Sequence, residues 1–273
     1  MTSRTASRTA LPLLVTAILS ALFYVDPPTR AQDLGNGLSG WGLVMLAGKQ
    51  ASPATYNILG GALKASGAVV LTPLLAYSRS RMYDAGYDHE APMIDAAIDN
   101  LRARGFKNVA LAGHSHGGGT ALTYAVERRR KLDALIVMAP APTVATADIN
   151  EEERRAVALI HQGQGDTPTV FLDSNTSRTT PTRFYVSATP KEYLDWNTRR
   201  ARIWVDRAKA ARVPPTFPVL WIDALLDPNI AHQRAAGSGL PKNPKSRYVV
   251  LNTYHPDVPD ESVSTVIEWF ASL

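Results

Sequence analysis

Short, nearly unbroken apolar runs recur along the chain: "GLVMLA" (42–47), "AVVLTP" (68–73), "NVALAG" (108–113), "ALIVMAP" (134–140), "PVLWID" (218–223) and "RYVVLN" (247–252). A strand with one wet face alternates apolar and polar residues, whereas continuous runs suit strands covered on both faces, as in a parallel sheet between helices. Stretches with helical periodicity lie between several of these runs. In "APMIDAAIDNLRARG" (91–105), Ile94, Ala97, Ile98 and Leu101 share one face and Gly105 stands at the expected C-cap. The closing segment "VPDESVSTVIEWF" also reads as an amphipathic helix. This alternation predicts an α/β fold with a mostly parallel central sheet flanked by helices.

One interval breaks the rhythm. Between about Pro142 and Pro215 no buried strand is evident, although "EEERRAVALIHQ" (151–162) and "PKEYLDWNTRRARIWVDRAKAA" (190–211) have helical patterns. The expectation is a lid-like insertion at 142–215, folded over the sheet rather than into it, with the proline-rich flanks "APAPT" and "RVPPTFP" as stiff hinges. Its aromatics, Tyr185, Tyr193, Trp196 and Trp204, either cap a pocket or form the insertion's own core.

Composition adds limits. With 45% hydrophobic and 19% charged residues, the chain reads as one globular domain from residue 32 to 273. Residues 1–31 differ: Arg4 and Arg8 precede an apolar run from Leu11 to Val25, then prolines and the small-x-small site Thr29-Arg30-Ala31. That is the layout of a secretory signal peptide, and the run is short of the roughly 20 residues that span a bilayer. Export to the periplasm or the medium is therefore expected, with no stable membrane insertion once the signal is removed. Losing Arg4, Arg8, Arg30 and Asp26 lowers the net charge from +5 to +3, too mild an excess for a dedicated nucleic-acid surface. The basic run Arg128-Arg129-Arg130-Lys131 reads as a solvated helix end. The absence of cysteine excludes disulfides, a thiol nucleophile and thiolate metal sites.

Candidate chemistry concentrates in "LAGHSHGGGTAL" (111–122), where Ser115 falls on the turn between a predicted strand and a predicted helix, framed by Gly113 and Gly117. Such a turn lifts the serine hydroxyl above the sheet edge and brings strand and helix too close for side chains at the framing positions. It also aims the helix N-terminus, with its free amides, at an oxygen bound over the serine. His116 then offers a backbone donor to an oxyanion. His114 and His116 diverge from the hydroxyl on so tight a turn, so both read as pocket or packing residues. With no third ligand nearby, a two-histidine metal site is disfavoured.

In this frame, and in the strand and helix around it, the sequence from about Gly40 onward resembles the α/β-hydrolase superfamily of serine esterases and lipases. The resemblance implies the chain order serine, acid, histidine. His255, between the last strand and the closing helix, matches the family's catalytic histidine; His161 and His232 read as surface residues. Asp227-Pro228, beyond "PVLWID", matches the acid, with Asp223 and then Asp148 as alternatives. The second oxyanion donor belongs to the loop after the first strand, where many relatives have His-Gly and this chain reads Ala47-Gly48-Lys49. The backbone amide of Lys49 is the expected donor, then that of Gln50, with a side chain free to vary.

The resulting expectation is an exported hydrolase acting on a small-molecule carboxylic ester through Ser115, His255 and Asp227, without cofactor or metal. An amidase or thioesterase would use the same parts. A binding protein that kept only the fold is the alternative of a different class.

Overall fold

The computed structural model describes residues 37–127, 132–140, 147–178, 180–197, 201–216 and 218–273. The expected signal peptide at 1–31, the basic run at 128–131 and the residues just after Pro140 lie outside the described part.

Six strands form one sheet: β1 (Trp41–Leu46), β2 (Val69–Leu71), β3 (Asn108–His114), β4 (Ala134–Met138), β7 (Val219–Ala224) and β8 (Arg247–Leu251), in the order β2-β1-β3-β4-β7-β8. All five pairings are parallel. Each of these strands coincides, within a residue or two at most ends, with one of the apolar runs. Their side chains alternate between two cores. Val44, Leu46 and Leu111 pack with α2 (Tyr87–Ala103) and α3 (His116–Glu127), while Leu43, Met45 and Ala110 pack with α1 (Asn57–Ala65) on the other face. In α2 all four predicted face residues are buried, and Gly105 just beyond it takes the left-handed φ of +91° expected of a helix end.

The segment between β4 and β7 lies outside this sheet. It holds α4 (Ala147–His161), an antiparallel pair β5 (Thr169–Asn175) and β6 (Thr182–Ala188), α5 (Pro190–Asn197) and the short α6 (Arg207–Ala210). The β5–β6 pair corrects the expectation of a strandless interval. Its strands are half wet, with Val170 and Tyr185 largely exposed and only Phe171, Asp173, Val186 and Ala188 buried, so no continuous apolar run marks them. The single helix expected at 190–211 is broken as well, because the Asp206 side chain caps a new helix by accepting from Lys209 N at 2.7 Å. Tyr193 stacks on Phe171, and Trp196 packs edge-on to Tyr77, both fully buried, so these two aromatics are core. The closing helix pattern is split into α8 (Val258–Glu261) and α9 (Val263–Ala271), after α7 (Ile230–Gly237) and β8.

Backbones approach most closely where α3 leaves β3. A Cβ on Gly113 would stand 2.0 Å from the Gly117 carbonyl oxygen, and one on Gly117 would stand 2.0 Å from the Leu46 carbonyl oxygen of β1. Three backbones therefore meet with no room for a methyl group. Gly117→Ala should forfeit at least about 4 kcal/mol or prevent folding. Gly61→Ala, on the exposed side of α1 with nothing within 4 Å of the new methyl, should stabilise the chain by about 0.5–1 kcal/mol. Urea titration of the two variants checks both signs; equal effects would show that the approach at Gly117 is not limiting.

Candidate active site

Because the sheet is parallel, the loops after β1, β3, β7 and β8 all emerge at its carboxyl edge, where open α/β sheets bind ligands. Ser115 follows β3 directly with φ +56°, a left-handed conformation that a side chain rarely adopts. The strain is held from both sides: Ser115 N donates to Met138 O of β4 at 3.0 Å, and its carbonyl accepts from Gly119 N at 3.1 Å. His116 opens α3, so its amide has no carbonyl one turn behind it.

Asp227 and His255 are brought together. His255 Nδ1 lies 2.5 Å from Asp227 Oδ2, and both side chains are buried. Their loops are laced by Leu225 N to Leu251 O (2.8 Å) and Leu226 N to Thr253 O (3.1 Å). Asp227 also accepts from Asn229 N (2.8 Å), Asn229 Nδ2 (3.1 Å) and Gln233 Nε2 (2.8 Å). Burial alone would push this carboxyl up, but the bond and charge of His255 and the donors of Asn229 and Gln233 outweigh it and hold the group below its ordinary value. Gln233 and Asn229 carried no signal in the sequence, since their role depends on a turn that folds back onto the acid.

Asp223, the alternative acid, faces other partners. It accepts from Trp221 Nε1 at 2.9 Å and from the Tyr248 hydroxyl. Burial raises its carboxyl to about 6, against the opposing effect of these two donors. The side chain of Asp148 lies outside the described residues. Neither histidine beside the serine is solvent-facing. The His114 Nε2 lies 2.8 Å from the His255 carbonyl oxygen, which fixes that nitrogen as the protonated one and ties the serine turn to the end of β8. Burial, then the neighbouring His255, lowers His114 to about 3, so it is neutral at all ordinary pH. His161 is exposed and His232, half-buried, meets Val205 O at 2.6 Å. Among the described residues no three histidine or carboxylate side chains are placed to hold a metal ion.

The loop after β1 reaches the serine. A Cβ on Gly48 would be 3.1 Å from Ser115 Cβ. The Gln50 amide, the alternative expected donor, already donates to Tyr77 O at 2.9 Å. The expectation that the Lys49 side chain is free to vary is overturned: it is only 7% exposed, and its ammonium donates to Asp173 Oδ1 (2.8 Å), Ser174 O (2.9 Å) and Asn197 Oδ1 (2.9 Å). Asp173 is an inward position of β5, and a carboxylate on the buried side of an alternating strand was the available signal.

The raised Asp223 carboxyl predicts a pH dependence of stability. Its folded value lies above that of the unfolded chain, so the unfolded state releases the proton first and stability falls from about pH 4 to about pH 6, then levels. Asp223→Asn keeps an acceptor for Trp221 and a partner for Tyr248 without the ionisation. It should melt a few degrees above the parent at pH 8 and together with it at pH 4. A variant less stable by the same margin at both pH values would remove the premise.

Comparison with known proteins agrees with this architecture. The family described as serine aminopeptidase, S33, matches residues 80–175, which include the serine turn. No curated protein matches. Among solved structures, the monoacylglycerol lipase of Paleococcus ferrophilus superposes with a TM-score of 0.62 at 18% identity, over 85% of this chain and 94% of its own. A structure of the metagenome-derived lipolytic enzymes LipS and LipT also gives 0.62, at 17% identity over 84% and 91% of the two chains. A thioesterase domain from the curacin biosynthetic pathway gives 0.55 at 11% identity, over 86% and 92%. These likenesses, and a parallel six-stranded sheet with a serine on the turn after its third strand, show that the chain has an α/β-hydrolase fold.

Proposed function

We propose that this protein is a serine hydrolase that cleaves carboxylic esters through an acyl-enzyme. The observation that carries the reading is the buried His255–Asp227 pair, 2.5 Å apart, at the same sheet edge as a serine held at φ +56°. A serine hydroxyl is a poor nucleophile until a base takes its proton. In the proposed cycle His255 accepts that proton as Ser115 attacks the ester carbonyl, and Asp227 holds the imidazole in the tautomer that leaves Nε2 free. The amides of His116 and Lys49 receive the negative charge that develops on the carbonyl oxygen. His255 then protonates the leaving alkoxide, and water, deprotonated by the same histidine, releases the acid and restores Ser115. The donors around Asp227 support this role, because they keep it ionised beside an imidazolium.

The ester, rather than amide or thioester, assignment rests on the lipolytic enzymes among the structural likenesses. We further propose that residues 1–31 direct export and are removed, which mass spectrometry of the mature N-terminus tests. Among the described residues no helix is long and apolar enough to cross a membrane.

A series of p-nitrophenyl esters of graded chain length, run beside aminoacyl p-nitroanilides, tests the substrate class; faster release from the anilides would move the assignment to an aminopeptidase. Ser115→Ala should lower turnover at least about 10³-fold and abolish labelling by a fluorophosphonate while leaving the circular dichroism spectrum unchanged. Turnover within a tenth of the parent would place the nucleophile elsewhere. Asp227→Asn should reduce kcat about 10²- to 10⁴-fold, whereas Asp223→Asn should cost less than about tenfold. The reverse ranking would transfer the acid role to Asp223.

A further inference from the structure

The two residues whose amides are the proposed oxyanion donors, Lys49 and His116, both bury their side chains in the same place. All three hydrogens of the Lys49 ammonium are used, on Asp173 Oδ1, Ser174 O and Asn197 Oδ1. Asp173 is held in turn by the Tyr83 hydroxyl at 2.6 Å and by Ser174 N at 2.7 Å. The His116 ring packs edge-on to Tyr77. Asn197 Nδ2 and His116 Nε2 are buried and have no hydrogen-bond partner. Asn197 is the last residue of α5 and is fully buried. Burial and the adjacent Lys49 charge hold the His116 ring neutral.

A buried ion pair contributes little over an apolar pair of the same shape, and its partners must be closely placed to offset desolvation. Stability alone therefore does not account for a network that spans the β1 loop, β5 and α5. Geometry does, since an oxyanion donor misplaced by an ångström forfeits most of its effect. We infer that Asn197 is a positioning residue for the oxyanion hole: its carboxamide oxygen, which accepts from the Lys49 ammonium at 2.9 Å, fixes the Lys49 side chain and with it the place of the amide that receives the carbonyl oxygen. The inference rests on the proposed serine-hydrolase reading and adds to it a role for the segment between β4 and β7, which thereby braces the catalytic edge.

The test measures kcat per active site, with sites titrated to completion by a fluorophosphonate, on the best p-nitrophenyl ester of the series. Asn197→Ala should lower kcat per titrated site about ten- to hundredfold and leave KM within about threefold. Inhibition by a trifluoromethyl ketone, which forms the tetrahedral adduct, should weaken by the same factor as kcat/KM. Asn197→Asp keeps the size and the acceptor for Lys49 and should retain kcat per site within about threefold of the parent; Asn197→Leu, which keeps the bulk without the acceptor, should repeat the alanine loss and decides the matter if the alanine variant does not fold. A merely structural role would reduce the number of titratable sites and leave kcat per site at the parental value, which overturns the inference. So would a rise in KM at constant kcat. Failure of the underlying reading looks different: an inactive parent, or an active Ser115→Ala.

Discussion

The whole site hangs on one close approach. The Gly117 Cα position lies so near the Leu46 carbonyl oxygen that a Cβ would stand 2.0 Å from it, and Gly113 meets the Gly117 carbonyl just as tightly. Strand β3, helix α3 and the end of β1 are thereby locked at backbone distance. The serine between the two glycines is left with a left-handed φ and nowhere to point but off the sheet edge. Small residues at these positions are a geometric condition of the turn, and the strain they permit is what exposes the hydroxyl.

Parallel strand order then does the assembling. Loops that are far apart in the chain are delivered to one edge because every strand of the sheet runs the same way. Once there, they are bound to each other by groups that are not themselves reactive. His114 joins the serine turn to the His255 carbonyl, and Gln233 and Asn229 fold back on the acid. Asp227 consequently has its hydrogen-bonding capacity filled, and its charge is favoured despite burial. Asp223, one strand end away and equally buried, has neutral donors only and is pushed the other way.

The segment between β4 and β7 acts on this edge through polar contacts rather than through its aromatics. Tyr193 and Trp196 are consumed in packing, while Asp173 and Asn197 reach Lys49. Lys49, in the loop after the first strand, is thus paired with residues from a hairpin and a helix more than 120 positions away. Its burial lowers the ammonium's affinity for a proton, and Asp173 counters that effect.

Much of the fold was legible without coordinates. Strands buried on both faces need unbroken apolar runs, and the six of the main sheet announced themselves that way; the amphipathic face of α2 and the glycines around Ser115 were equally local signals. His255 and Asp227 were singled out because the resembled family places its histidine and acid just past recognisable strands, and the structure brings these two side chains to 2.5 Å. The β5–β6 hairpin was not, because half of each strand is wet and its periodicity dissolves into that of a loop. The separate start of α6 depends on an aspartate cap, which sequence periodicity does not register. Least legible was the network of Lys49, Asp173 and Asn197. A buried polar side chain is tolerated only where its partners converge, and that convergence exists only after three loops and a hairpin have been brought to one edge by the sheet.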